Sequence, residues 1–137
     1  MATVNILSMS SHSVLVMMSS PYDKIQYYEF GQKEKDRIIA KLKELLSKEE
    51  RVKLAVLFGG ATRRNYVRDI DLCIHATPEL NFKELLNLNA RIELELGVPV
   101  DLVELTNVPA TLKAIILKNG SLIKGTKSRQ YALLQQI

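Results

Sequence analysis

Cysteine is almost missing from this 137-residue chain: Cys73 stands alone, so no internal disulfide can form, and a reduced, cytoplasmic protein is expected. Tryptophan is absent, aromatic residues make up 6% of the chain, and no cluster of aromatics stands among the C-terminal lysines, which argues against recognition of single-stranded nucleic acid by stacking. Long apolar runs are absent as well. In the first twenty residues the longest is Val14–Met18, far short of the roughly eighteen residues of a membrane span and without the basic start of a secretory signal. Those twenty residues hold no Asp, Glu, Lys or Arg, so residues 1–30 are expected to be an uncharged leader and linker before a single domain over residues 31–137. Acids are missing at the other end. Residues 105–137 carry Lys113, Lys118, Lys124, Lys127 and Arg129 with no Asp or Glu, whereas the first 104 residues balance 14 basic against 15 acidic side chains. The net charge of +4 therefore belongs to a basic C-terminal tail, a surface for an anionic partner rather than a uniformly basic body.

What is present is a regular alternation of helical and extended patterns. Ile38, Ile39, Leu42, Leu45 and Leu46 recur at three- and four-residue spacing between Gly31 and Glu50, which predicts an amphipathic helix. Val52–Phe58 is branched and aromatic and stops at Gly59-Gly60, the pattern of a buried strand. A polar, Arg-rich connection, Ala61–Arg68, leads to a second strand over Asp69–His75. There Ile70, Leu72 and Ile74 point one way, and Asp69, Asp71, Cys73 and His75 the other. Asn81 with Glu84 forms a capping box for a helix that ends at Gly97. A third strand over Val98–Leu105, a Pro109-led helix over Ala110–Lys118 ended by Asn119-Gly120, a short strand Ser121–Lys124 and a last amphipathic piece Tyr131–Ile137 complete the chain. The fold class expected is α+β, a small mixed β-sheet covered by helices.

Asp69-Ile70-Asp71 is the most informative triplet. Strand alternation puts both carboxylates on one face, about 7 Å apart at Cα, where they repel unless a cation sits between them. Mg²⁺ suits such a pair, binding one or two carboxylates and completing its shell with water and substrate phosphates. Asp101 lies in a third strand and can join them if that strand runs beside the second. Glycine at Gly59-Gly60 lets backbone N–H groups approach a phosphate closely. Cys73 and His75 share the acids' face, but one Cys and one His fall short of a zinc site and read as strand packing.

Leu57-Phe58-Gly59-Gly60, then Asp69-Ile70-Asp71, then Asp101 resembles the signature of the minimal nucleotidyltransferases of the DNA polymerase β-type superfamily, over about residues 33–130. Thr62-Arg63-Arg64 stands where the family commonly has Ala-Arg-Gly, and Gly60 stands where a serine is common. The resemblance implies a nucleotidyltransferase-like fold in which Gly59 and Gly60 cradle a nucleoside triphosphate and Arg63 clamps its phosphates. It further implies that Asp69, Asp71 and Asp101 are the catalytic, metal-binding acids for Mg²⁺, two ions during turnover, with Mn²⁺ as the substitute. ATP is the donor it points to, and a nucleoside monophosphate would pass to an acceptor hydroxyl. Similar minimal proteins silence a HEPN-type toxin by transfer to its tyrosine, which implies an antitoxin role, with a HEPN protein or a second copy of the chain bringing the acceptor. Two alternatives stand beside it: a catalytically idle module that only binds its partner, and a nucleic-acid binder using the basic tail.

Overall fold

The computed structural model describes residues 28–29, 31–59, 66–67 and 69–137. Most of the expected leader, Gly60 and the greater part of the Arg-rich connection, with Thr62, Arg63 and Arg64, lie outside the described residues. Chain order is β1 (Tyr28–Glu29), α1 (Gln32–Ser47), β2 (Val52–Phe58), β3 (Tyr66–Val67), β4 (Ile70–Ala76), α2 (Phe82–Leu96), β5 (Val100–Glu104), a 3-10 turn at Leu105–Asn107, α3 (Ala110–Asn119), β6 (Ser121–Lys124) and α4 (Lys127–Gln135).

Four strands form the main sheet in the order β5-β4-β2-β6. β2 pairs antiparallel with both β4 and β6, while β4 and β5 run parallel, so the sheet is mixed. Parallel neighbours need a crossover, and α2 supplies it between β4 and β5. α1 and α2 form where their apolar residues fall on one side. Ile38, Leu42 and Leu46 of α1 and Leu88, Ile92 and Leu96 of α2 are buried at four-residue spacing. They pack on one face of the sheet with Ala55, Leu57, Ile70, Leu72 and Ile74. Ile116 and Leu117 of α3 cover the other face, packing with Leu54, Val56 and Cys73, and Leu133 and Leu134 of α4 close over the same cluster. Both faces are covered, which is why Leu54–Phe58 reads as a continuous apolar run.

The capping box is present: Asn81 Oδ1 accepts from Glu84 N–H at 2.8 Å, and Glu84 Oε1 accepts from Asn81 N–H at 2.9 Å. Gly97 ends α2 with φ 74°, the left-handed conformation that glycine adopts without penalty. Several boundaries depart from the sequence reading. β4 runs Ile70–Ala76, so Asp69 stands just before the strand rather than in it, and β5 begins at Val100 rather than Val98. Leu105 opens a 3-10 turn rather than extending β5. α4 begins at Lys127, four residues before Tyr131, because Thr126 caps it by accepting from Arg129 N–H at 3.1 Å. The Arg-rich connection contains β3, paired antiparallel with β1 in a separate two-stranded ribbon.

The acid-free segment is built into the domain. β6 extends the sheet, and Lys124 Nζ donates to Leu46 O at 2.6 Å and Glu49 O at 2.8 Å, satisfying carbonyls at the end of α1. Gln130 is buried, with its Nε2 donating to Leu117 O at 2.7 Å to tie α4 to α3. Among the described residues no helix is long and apolar enough to cross a membrane.

Candidate active site

The candidate acids meet at one end of the sheet through strand register. Ile70, Leu72 and Ile74 are fully buried on the α1 and α2 side, which fixes β4 and sends Asp71 and Cys73 to the other face. Cys73 is packed into the α3 side of the core, while Asp71, two residues earlier, is half-buried at its rim. The parallel pairing of β4 and β5 sets Asp71 opposite Asp101, so the two share a face on strands about 4.8 Å apart. Asp69 is half-buried and Asp101 exposed.

The three carboxylates act on one another. The Asp71 carboxyl is pushed up to about 6, first by burial and then by the negative charges of Asp69 and Asp101. On the opposite flank, Phe58 at the end of β2 is the register partner of Asp71. Gly59 follows with φ 74°, and a Cβ built there would lie 2.2 Å from Asp71 Oδ2. Glycine is therefore required twice over at this position: for the left-handed turn and for the space that the carboxylate occupies.

The sequence-predicted residues Asp69, Asp71, Asp101 and Gly59 are thus brought together, while Gly60 and Arg63 lie outside the described residues. Cys73 and His75 are not part of this group. Burial, then the charge of Glu104, pushes the Cys73 thiol up to about 12, so it offers no thiolate to a soft metal at neutral pH. His75 Nδ1 lies 3.4 Å from Glu104 Oε1, at the end of β4 and β5 remote from Asp71 and Asp101. Glu104 itself is buried, accepts from Ala76 N–H at 3.3 Å, and has its carboxyl raised chiefly by that burial. Sequence reading passed over Glu104; its place in the same strand phase as Val100 and Leu102 was the signal that it would be buried.

Among the described residues no group of three or more His, Cys, Asp and Glu side chains is arranged to enclose a metal ion. The donor chemistry fits an open site for a hard cation. Among the described residues, the charged groups that act on Asp71 are carboxylates, and their repulsion, which adds to burial in raising its pKa, is what a divalent ion would relieve. Mg²⁺ and Mn²⁺ fit this donor set; zinc, with no available thiolate and a distant imidazole, does not.

Residues 40–129 match the sequence model of the family described as Polymerase beta, Nucleotidyltransferase, a span that takes in the whole main sheet, Gly59 and the three acids. The chain belongs to this nucleotidyltransferase family. No curated protein matches it. Among solved structures, a toxin-antitoxin with AMP-PNP is 24% identical, with TM-score 0.65, over 72% of this chain and 82% of that one. The MntA-HepT toxin-antitoxin is 23% identical, with TM-score 0.57, over 77% and 82%. A tri-AMPylated HEPN toxin in complex with MNT antitoxin, from Shewanella oneidensis, gives 23% identity and TM-score 0.58 over 77% and 81%. At such identities the likeness establishes the fold. The nucleotidyltransferase fold expected from the glycine and aspartate motifs is the one found.

Proposed function

We propose that this nucleotidyltransferase is active, moves AMP from ATP to an acceptor hydroxyl, and serves as an antitoxin by modifying a tyrosine of a HEPN-type protein partner. The observation that carries the reading is the β4–β5 register, which sets Asp71 beside Asp101 with Asp69 close enough to raise the Asp71 carboxyl. The similar structures lend it support, since they include a toxin-antitoxin with AMP-PNP and a tri-AMPylated HEPN toxin with its MNT antitoxin.

In this reading Asp69 and Asp71 would hold a divalent ion on the triphosphate, and Asp101 with Asp71 would serve a second. Bound there, such ions neutralise phosphate charge and lower the pKa of the attacking hydroxyl. The remaining work falls to the chain. Gly59 and Gly60 let backbone approach the phosphates, and Arg63 pairs with phosphate oxygens. Burial of the strand holds Asp71 in one place, so little reorganisation accompanies the reaction. The acceptor oxygen bonds to the α-phosphorus as the bond to the bridging oxygen breaks, and pyrophosphate leaves.

The test is transfer of label from α-labelled ATP to a HEPN-type protein from the same organism, with Mg²⁺ present. Label on a tyrosine, lost by roughly 100-fold or more in Asp71→Asn, is expected. No label with any nucleoside triphosphate would overturn the reading.

A further inference from the structure

The outer side of α3 is apolar where it meets solvent. Ile115 is 56% exposed and Leu112 40%, and on α4, which packs against α3, Tyr131 is 62% exposed. Around them stand Lys118, Lys127 and Arg129, all exposed. Among the described residues no ion pair includes any residue after Glu104, and Lys124 is the basic residue of this segment whose ammonium is engaged, at the end of α1. An aliphatic centre with a basic rim is the make-up of a protein-binding patch. A phosphodiester backbone would use the lysines but has nothing to bury on Leu112 and Ile115.

The position of this surface relates it to the acids. Ile116 and Leu117 hold α3 on the face of the sheet from which Asp71 projects. The helix ends at Gly120, where a Cβ would meet Val56 Cγ1 at 2.2 Å and Leu57 O at 3.1 Å, and Ser121 is the register partner of Leu57. The last turn of α3, with Ile115 and Lys118, therefore lies at the end of β2 that leads into Gly59. A second exposed apolar stripe, Phe82, Leu86 and Leu94 on α2, differs in both respects. It belongs to the helix on the opposite face of the sheet. Of the charges beside it, Arg91 pairs with Glu49 and Glu95 with Lys41.

We infer that the exposed face of α3, extended by α4, is the docking surface for the protein that brings the acceptor hydroxyl, and that the docked surface is apolar at its centre and acidic at its rim. The inference rests on the proposed function for the identity of that protein as a HEPN-type partner. Docking on the last turn of α3 brings the partner to the face of the sheet from which Asp71 projects, whereas α2, whose last turn also reaches the start of β5 through Glu93 and Val100 N–H, covers the opposite face.

The test measures the affinity of the HEPN-type protein for this chain by calorimetry without nucleotide, so that turnover does not enter. Ile115→Asp should weaken binding about 30-fold, and Ile115→Ala by less. Lys118→Glu combined with Lys127→Glu should weaken it about tenfold at low salt, and by less at high salt, where wild-type binding is itself weaker. Leu94→Asp on α2 should bind as wild type. All these positions are exposed, and equal melting temperatures would show that folding is kept. Wild-type affinity in Ile115→Asp would overturn the surface while leaving the proposed function in place. Failure of the wild-type chain to bind the HEPN-type protein would overturn the partner reading and the surface with it. Tight binding of a random-sequence RNA probe that weakens in the lysine variant but not in Ile115→Asp would assign the surface to nucleic acid and overturn the inference.

Discussion

Replacing Gly59 by alanine should separate folding from catalysis. The new Cβ adds two problems, and they fall on different properties. A non-glycine residue at φ 74° carries a backbone penalty of about 1–3 kcal/mol, felt by the whole fold. The Cβ also lies 2.2 Å from Asp71 Oδ2, 3.1 Å from its Cγ and 3.3 Å from its Cβ. The cheapest relief is rotation of the Asp71 carboxylate, because its far end is free to turn while the β2 and β4 backbones are held by the ladder. The melting temperature should then fall by roughly 5–10 °C, as the backbone penalty alone dictates. Transfer of labelled AMP should fall by about 100-fold, since displacing one reacting group by an ångström is enough for that. A cycle tests the cause. In an Asp71→Ala background the clash with the carboxylate is gone and only the 3.3 Å approach to Cβ is left, so Gly59→Ala should there lower the melting temperature by little more than the backbone penalty and reduce the residual transfer no further. Scanning calorimetry and single-turnover labelling read the two quantities. If Gly59→Ala melts lower but transfers AMP as fast as wild type, the space beside Asp71 is not what the glycine protects, and the argument fails.

Asp71→Asn should stabilise the metal-free protein at neutral pH by about 1 kcal/mol after allowance for solvent screening. The carboxyl titrates near 6 in the fold against 3.8 ordinarily, so the folded state keeps its proton longer and wild-type stability falls as pH rises through that window. Melts with chelator and with Mg²⁺ would check it: Mg²⁺ should raise the wild-type midpoint more than that of the variant, and equal shifts would sink the idea. Glu104→Gln keeps an acceptor for Ala76 N–H and removes a buried charge whose folded pKa lies above the ordinary 4.5. Wild-type stability should therefore decline relative to the variant as pH rises above 4.5; parallel pH profiles would refute this. Lys124→Met removes the ammonium from Leu46 O and Glu49 O, which keep only the backbone donors Glu49 N–H and Val52 N–H, and should lower the urea-derived stability by about 1 kcal/mol, whereas an unchanged midpoint would show that water replaces the ammonium without loss.

Periodicity made much of this fold legible because burial enforces it. Ile38, Leu42 and Leu46 lie on one side of a helix and nowhere else in sequence space, and Ile70, Leu72 and Ile74 can all be buried only in an extended chain. Register is different. That Asp101 stands beside Asp71 depends on which strand β5 chooses as a neighbour, a pairing settled by α2 crossing the sheet and packing through Leu88, Ile92 and Leu96. The acids could be picked out one by one, but their juxtaposition could only be conditional. The ribbon of β1 and β3 escaped because two-residue strands have no periodicity to read. Lys124 escaped because charge counting sees a lysine in an acid-free segment, while the folded chain sees a donor for α1, 75 residues and more away along the sequence.

The same alternation that builds the core also explains why the acids are rigid without being fully buried. On the α3 face of β4 the environment changes from solvent to interior between Asp71, half-buried, and Cys73, 2% exposed. α3 stops at Gly120, level with Leu57, and Gly59 carries no side chain, so nothing from either element covers Asp71. Its backbone is held by pairing with Phe58 on one side and Asp101 on the other, while its carboxylate reaches the rim. Deeper burial would have pushed the carboxyl further up and left it protonated and unable to grip a cation. Full exposure would have left it mobile and solvated, with a larger reorganisation on metal binding. Placement at the rim keeps the Asp71 carboxylate ionised at neutral pH and already aimed, so a side chain introduced at Gly59, by turning that carboxylate aside, should weaken Mg²⁺ affinity in a calorimetric titration as well as lower the melting temperature, and unchanged affinity would refute this.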